Sequence, residues 1–407
     1  MTTPSWRSPA LVIVCGGLIL SLALGMRHSF GLFLQPMSFD YGWGREAFAF
    51  AIALQNLLWG IAQPFTGMIA DRFGAGRVVA LGTLAYVAGL VLMPLSDSGV
   101  TLSLSAGLLV GLGLSGTGFS IIYGAVGRAV PPHRRTAALG TAGALGSLGQ
   151  FAMLPFAQSL ISSAGWADAL WVLAATVAVA LLLAIVVAEP RAATAPSATP
   201  PQGLWSALTE AFSHRGFWLL GLGFLACGFQ LAFIGNHLPA FLTDQGLNAN
   251  VGMRALALVG LFNVLGTWAW GQMGVHWRAK NLLSILYLLR AGLTAAYMVL
   301  PVTATTTYVF AAGMGFLWLG TAPLTSAVLS QIFGVRYIST LFGFVFFSHQ
   351  VGSFLGVWLG GLVFDATGSY DVVWTLSIGL GVLAALLHYP IDDRTPAATP
   401  VPAGRAA

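Results

Sequence analysis

The chain is built from apolar runs that are too long and too many for a water-facing fold. They fall at about 10–34, 47–69, 78–95, 101–125, 137–160 and 167–188. A second set falls at about 217–243, 252–273, 282–300, 306–333, 339–364 and 373–389. A helix needs about 20 apolar residues to cross a bilayer, whereas barrel strands are about 10 residues of alternating polarity. The runs are continuous, so helices are expected. Of 407 residues, 57% are hydrophobic and only 7% charged, against about 25% charged in soluble domains. Soluble enzymes, nucleic-acid binders and disordered scaffolds are therefore poor readings. The expected fold class is an all-α membrane protein with 12 transmembrane helices and the lipid bilayer as its solvent. The net charge of +5 is spread along the chain, so no nucleic-acid partner is expected.

Arg7 precedes the first run, and Ala23-Leu24-Gly25 resembles a signal-peptide cleavage site. The apolar character continues past Gly25 and similar spans follow, which favours an uncleaved first helix. Residues 189–215 include the Pro/Ala/Thr-rich stretch Ala192–Pro201, expected as a linker. The organisation expected is a six-helix bundle over 1–188, a cytoplasmic linker over 189–215, a second bundle over 216–390 and a cytoplasmic tail over 391–407. With the N-terminus inside, the inner segments hold Arg7, Arg72, Arg77, Arg128, Arg134, Arg135, Arg191, Arg215, Arg278, Lys280, Arg336, Arg394 and Arg405. The outer loops hold only Arg45 and Arg254. This asymmetry places both termini in the cytoplasm. The composition suggests a bacterial inner membrane. Cys15 and Cys227 lie inside apolar runs and are expected as small buried hydrophobes.

The halves match at an offset of 203. Gly25 pairs with Gly228, Pro36 with Pro239, Gly140 with Gly343, Gly149 with Gly352, and Phe151 with Phe354. Gly165 pairs with Gly368, Asp168 with Asp371, and Trp171 with Trp374. A duplicated bundle is expected, with a site at the midplane between its copies.

Between spans 2 and 3 stands Gly67-Met68-Ile69-Ala70-Asp71-Arg72-Phe73-Gly74-Ala75-Gly76-Arg77. The glycine permits close helix approach, and the charges can pair with neighbouring helix ends. This resembles the cytoplasmic loop signature G-x-x-x-D-R-x-G of the major facilitator superfamily. A degraded copy follows the repeat at Gly271, His276, Trp277, Arg278 and Lys280. The resemblance implies a gating role for Asp71, Arg72 and Arg77.

Arg27-His28-Ser29-Phe30-Gly31-Leu32-Phe33, Phe39–Arg45 and Gly360–Tyr370 resemble the monocarboxylate and oxalate/formate branch, whose members move small organic acids. The departures are specific. Span 8 holds Asn263 and Thr267 where monocarboxylate members often carry Asp and Arg. Oxalate-type members place basic residues on spans 8 and 11; here span 11 offers only His349.

Charges within a span cost about 2.5–3.5 kcal/mol on insertion scales, so they face protein or water. Arg27 is the candidate anchor for a carboxylate, because its planar fork stays charged when partly desolvated. The alternative is an Arg satisfied by helix-end carbonyls or snorkelling outward. Arg290, in the middle of span 9, is expected to pin that helix. His28, His237 and His349 are the titratable groups left for proton exchange, since no Asp or Glu lies deep in a span. Asn56, Tyr123, Gln150, Gln230, Asn236, Asn263, Trp318 and Gln350 complete the substrate-binding candidates.

The expected function is secondary active transport of a small, monocarboxylate-like organic anion by alternating access, linked to protons. Export of amphipathic or uncharged molecules is the alternative. The chain lacks H-E-x-x-H, G-x-S-x-G and a nucleotide-binding loop. Neither an enzyme nor an ATP-driven pump is therefore expected. No cofactor or metal is expected, and the protein is expected as a monomer.

Overall fold

The computed structural model describes residues 7–41, 45–188 and 203–393, and among them the regular structure is helical. The first half comprises α1 (Pro9–Ser29), α2 (Leu34–Tyr41), α3 (Arg45–Phe73), α4 (Ala75–Leu92), α5 (Gly99–Leu102), α6 (Val110–Thr117), α7 (Phe119–Ala129), α8 (Arg135–Ala164), α9 (Trp166–Ala178) and α10 (Ala180–Val187). There follow α11 (Leu204–Ser213), α12 (Arg215–Asp244), α13 (Ala249–His276), α14 (Ala279–Val299), α15 (Ala304–Phe316), α16 (Thr321–Phe333), α17 (Ile338–Thr367) and α18 (Asp371–His388).

The helix ends follow local chemistry. Ser98 and Thr303 form capping boxes with Thr101 and Thr306, satisfying first-turn N–H groups. Gly165 and Gly368, equivalent in the repeat, end α8 and α17 at φ 85° and 68°, a region that glycine enters without a Cβ clash. Span 4 is interrupted twice, by a π-helical segment at Ser103–Leu109 and by extended backbone at Gly118. Residues 189–202 and 394–407 of the expected linker and tail lie outside the described residues. The end of the expected linker is helical, forming α11.

Eleven helical stretches of described residues are long and apolar enough to cross a membrane, where the sequence suggested twelve. The twelfth expected run falls on α3, which has 29 residues, roughly 43 Å at 1.5 Å per residue, enough length to cross a bilayer. Elsewhere large apolar side chains point outward, including Leu182 (69% exposed) and Leu386 (65%). Such a surface is stable in hydrocarbon and not in water.

Packing repeats between the halves. α1 lies along α8 as α12 lies along α17; α3 meets α6 as α13 meets α15; α4 meets α9 as α14 meets α18. Two long contacts join the halves, α3 with α17 and α8 with α13. Glycine makes the second possible. A Cβ on Gly140 would stand 2.6 Å from Gly271 Cα, so the two backbones touch.

Candidate functional site

Four of the expected residues meet where the last turn of α1 crosses the middle of α3 and α17. Arg27, on α1, donates from Nη2 to Asn56 Oδ1 on α3. Its guanidinium lies 5.2 Å from the centre of the Trp59 ring, within cation–π range. Its Nε is buried and has no partner. Asn56 also donates to Ile52 O at 3.0 Å, which fixes the amide. From the other half, Gln350 Nε2 donates to the Asn56 backbone oxygen at 3.2 Å. Gln350 Oε1 lies 3.2 Å from His349 Nδ1, and the His349 ring stacks on Phe346 at 5.3 Å. Arg27, Asn56, Gln350 and His349 therefore form one chain of contacts across the seam. Trp59 was not among the expected site residues. It lies one helical turn from Asn56 and packs on Phe346 at 4.9 Å. Its four-residue spacing from Gln63, to which it donates at 2.8 Å, was the available signal.

Among the described residues no carboxylate pairs with Arg27; the ionisable groups near it include the Tyr86 phenol and His28. Tyr86 in turn donates to Ala23 O at 2.9 Å. His28, the next residue of α1, is exposed, and Gln150 is buried on α8.

The other expected residues fall into different places. Asn263 is buried in the seam, donating to Ser147 Oγ at 3.0 Å and accepting from Thr267 Oγ1 at 2.9 Å and Leu319 N at 3.1 Å. Its polar capacity is largely used by protein. Tyr123 is fully buried between Phe119 and Phe342, its hydroxyl without a partner. Trp318 is buried at the break between α15 and α16. Gln230 occupies the position equivalent to Arg27 at the 203 offset, but donates to Ser377 O at 3.0 Å and accepts from Arg290. Asn236 is exposed and bonds its own helix at Ala232 O, 2.7 Å. His237 contacts Val357 O at 2.9 Å and Tyr370 Oη at 3.4 Å.

Arg290 is completely buried and held by carbonyls. Its Nε and Nη2 donate to Leu317 O at 2.9 and 2.6 Å, and Nη2 also reaches Trp318 O. These oxygens belong to Leu317, the C-cap of α15, and to Trp318 just beyond it, where carbonyls lack helical partners. Arg290 thus pins α14 to that break, as its place in the span suggested. Cys15 is a buried hydrophobe. Cys227 is also buried, but its Sγ lies 3.3 Å from Arg290 Nη1 and 3.3 Å from Thr321 Oγ1. Apolar sequence neighbours gave no hint of this polar setting.

At one end of the seam, Asp71 accepts from Thr340 N at 2.7 Å, Thr340 Oγ1 at 2.8 Å and Arg128 Nη1 at 2.7 Å. Thr340 lies in the first turn of α17. A carboxylate at a helix N-terminus satisfies N–H groups that have no partner in the helix. A Cβ on Gly67 would meet the Ser339 carbonyl at 2.5 Å, so the motif glycine lets α3 reach that turn. Arg72 and Arg77 are exposed, and Arg72 lies over the adjacent Phe73 ring at 5.1 Å. The partners Arg128, Ser339 and Thr340 were not expected from the motif, because they are distant in sequence. The degraded copy acts differently. Arg278 pairs with Asp393, and Lys280 donates to Tyr389 O at 3.1 Å and to Ile391 O. The hydrogen bond that Arg278 donates to Asp393 raises the guanidinium above its ordinary range. Among the described residues no group of three or more His, Cys, Asp or Glu is placed to hold a metal ion.

A long-helix membrane fold with two linked halves and this loop motif defines a multi-pass membrane transporter class. The family model of the Major Facilitator Superfamily matches residues 13–322, and the chain belongs to that superfamily. It is 27% identical to the uncharacterized MFS-type transporter YcxA of Bacillus subtilis over 386 residues, covering 90% of this chain and 91% of that one. It is 26% identical to monocarboxylate transporter 12-B of Danio rerio (81% and 76% covered). It is 24% identical to the oxalate:formate antiporter of Oxalobacter formigenes (86% and 84%). The fold is shared with FucP in the outward conformation, at TM-score 0.70 and 15% identity over 93% of this chain and 97% of that one.

Proposed function

We propose that this protein is a secondary active transporter of a small, monocarboxylate-like organic anion, linked to protons and working by alternating access. Two six-helix bundles, 1–188 and 216–390, move about a site at their seam, with 189–215 as linker and 391–407 as tail. α3 is the twelfth span. The observation that carries the reading is Arg27: a guanidinium in the last turn of α1, within an apolar span, with Nε unpartnered and no carboxylate beside it among the described residues. A carboxylate cargo would supply the missing charge and accept from the planar fork. The names of the monocarboxylate and oxalate:formate relatives agree with that chemistry. His28, Gln150, His349 and Gln350 lie near enough along α1, α8 and α17 to shape the same space.

The cross-half hydrogen bonds at Asp71 support an outward-facing state, closed on the cytoplasmic side of a bacterial inner membrane. Asp71 is the latch, with Arg72 and Arg77 beside it. The neutral Asn263–Thr267 pair favours a second reading, export of uncharged or amphipathic compounds. The discriminating experiment is a thermal-shift screen with lactate, oxalate and neutral amphiphiles, followed by counterflow in proteoliposomes. A ligand that binds the folded state raises its melting temperature. Stabilisation by anions, lost in Arg27→Gln, supports the first reading. Stabilisation by neutral compounds alone, or anion counterflow unaltered in Arg27→Gln, overturns it.

A further inference from the structure

The Arg27 guanidinium rests on an aromatic ring that polar bonds hold in place. Trp59 is buried on α3, with Arg27 Cζ over its ring at 5.2 Å from the centre. The indole N–H is spent on Gln63 Oε1 at 2.8 Å. Gln63 is anchored in turn, because its Nε2 donates to Ser115 O at 2.8 Å. Ser115 lies in the last turn of α6, just before the extended backbone at Gly118, where carbonyls lack helical partners. A Cβ on Gly118 would stand 3.3 Å from Trp59 Nε1 and 3.4 Å from Gln63 Oε1, so that glycine makes room for the pair. From the other half, Phe346 of α17 meets the Trp59 ring at 4.9 Å. Gly60 allows α17 this close, since a Cβ there would lie 2.7 Å from Gln350 Cβ.

The repeat shows that the duplicated fold does not require this arrangement. At the offset of 203, Arg27, Asn56, Gln63 and Gly118 correspond to Gln230, Val259, Gly266 and Thr321. Trp59 corresponds to Phe262, a ring with no N–H to tie. The equivalent break in span 10 is closed by Arg290 from α14 instead. The tied indole is therefore particular to the half that carries Arg27. Its chemistry is one-sided. The face of an aromatic ring is negative and its edge positive, so the face attracts a cation and repels an anion. With its N–H engaged, Trp59 has no other hydrogen bond to offer a cargo. Arg290, the other arginine deep in a span, is committed to the Leu317 and Trp318 carbonyls.

Deepening the transport reading above, on which it rests, we infer that Trp59 is a positioning residue that restricts the Arg27 site to carboxylates of single charge with a short apolar tail. The ring holds the guanidinium from one side, and the cargo carboxylate accepts from the N–H groups that Asn56 leaves open. A tail against Trp59 and Phe346 gains from leaving water. A second carboxylate in its place would sit beside aromatic rings with no cation to meet it, and an unpaired charge is costly to bury. The site therefore rejects a dianion such as oxalate in favour of a monoanion such as butyrate.

The test is thermal stabilisation of the full-length protein by butyrate and by oxalate at about pH 7, where both are ionised. Butyrate should half-saturate its effect at a concentration about tenfold or more below that of oxalate. Trp59→Leu should shrink this ratio by about tenfold, to near equality, whereas Trp59→Phe keeps a ring face under the guanidinium and should retain most of it. A residue that merely supported the fold would lower the melting temperature and leave the ratio alone. In protein labelled with fluorotryptophan, the fluorine resonance that disappears in Trp59→Phe should move when butyrate is added. This signal is read in otherwise unsubstituted protein, so it decides the matter even where Trp59→Leu fails to fold. A ratio unchanged in Trp59→Leu, or a Trp59 resonance indifferent to butyrate, overturns the proposal. Equal stabilisation by both anions that is lost in Arg27→Gln rejects the role of Trp59 and leaves the cargo reading standing. If neither anion stabilises the protein, or both stabilise Arg27→Gln equally well, the cargo reading itself fails and takes this proposal with it.

Discussion

The Asp71 carboxylate and the first turn of α17 meet through Thr340, whose backbone N–H and hydroxyl donate at 2.7 and 2.8 Å. A residue of the first half thereby caps a helix of the second. Arg128 adds a cation at 2.7 Å, so one carboxylate ties α3, α7 and α17 together. The tie must break whenever the halves separate at this end.

Asp71→Asn removes the charge and turns an N–H donor toward Thr340. Hydrogen bonds to charged groups contribute about 1.5–3 kcal/mol, which corresponds to roughly a tenfold change or more in a two-state population. Spin-label distances across this end should shift toward the separated state, and transport should fall. An unchanged distance distribution would show that Asp71 does not hold the end closed.

Arg27→Lys tests the fork geometry. Lysine keeps the charge but cannot make a bidentate contact with a carboxylate. Anion-induced thermal stabilisation should drop by most of its amplitude, while melting of the ligand-free protein changes little. Equal stabilisation of both forms would indicate that charge alone matters.

Gly140→Ala places a methyl group 2.6 Å from Gly271 Cα. Overpacking costs about 1–3 kcal/mol, and here the cost falls only on the state in which α8 and α13 touch. The variant should expose this end to thiol reagents at an introduced cysteine. Gly292, which has open space around its Cβ position, supplies the control. Matching reactivity for the two alanine variants would remove the seam from the argument.

Arg290→Met leaves the Leu317 and Trp318 carbonyls without their donors. A buried unsatisfied polar group costs about 1–3 kcal/mol, so the melting temperature should fall. Arg290→Lys should recover part of it, since one ammonium can reach fewer oxygens. Stability equal to the unsubstituted protein in both variants would show that the α15–α16 break needs no pin.

Asp393→Asn should free the segment after α18 by removing the Arg278 pair. Because Asp393 holds the Arg278 guanidinium above its ordinary value, alkaline titration up to about pH 10 should leave the tie intact. The sign follows from a pKa that is raised in the folded protein: its contribution is lost only as pH climbs through that value. Limited proteolysis after α18 should be accelerated by Asp393→Asn and not by raising pH to about 10. The opposite pattern would reject the pairing.

Much of this molecule was legible in its sequence. Apolar runs of span length dictate helices in lipid, because no other element satisfies its own backbone there. The 203-residue repeat foretold the matched packing of α1 with α8 and α12 with α17, and the glycine pairs foretold where backbones touch. Arg27 stood out because a guanidinium in an apolar run demands a reason. Tertiary structure alone decided which polar residues share a space. Helical periodicity tells which residues lie on one face, but not which face of another helix it meets, or at what height. So Gln230, chemically suited to a cargo site, belongs to the Arg290 cluster, and Asn263 is consumed by Ser147, Thr267 and Leu319 N. Cys227, surrounded in sequence by apolar residues, acquires a guanidinium and a hydroxyl only because α12, α14 and α16 converge on it.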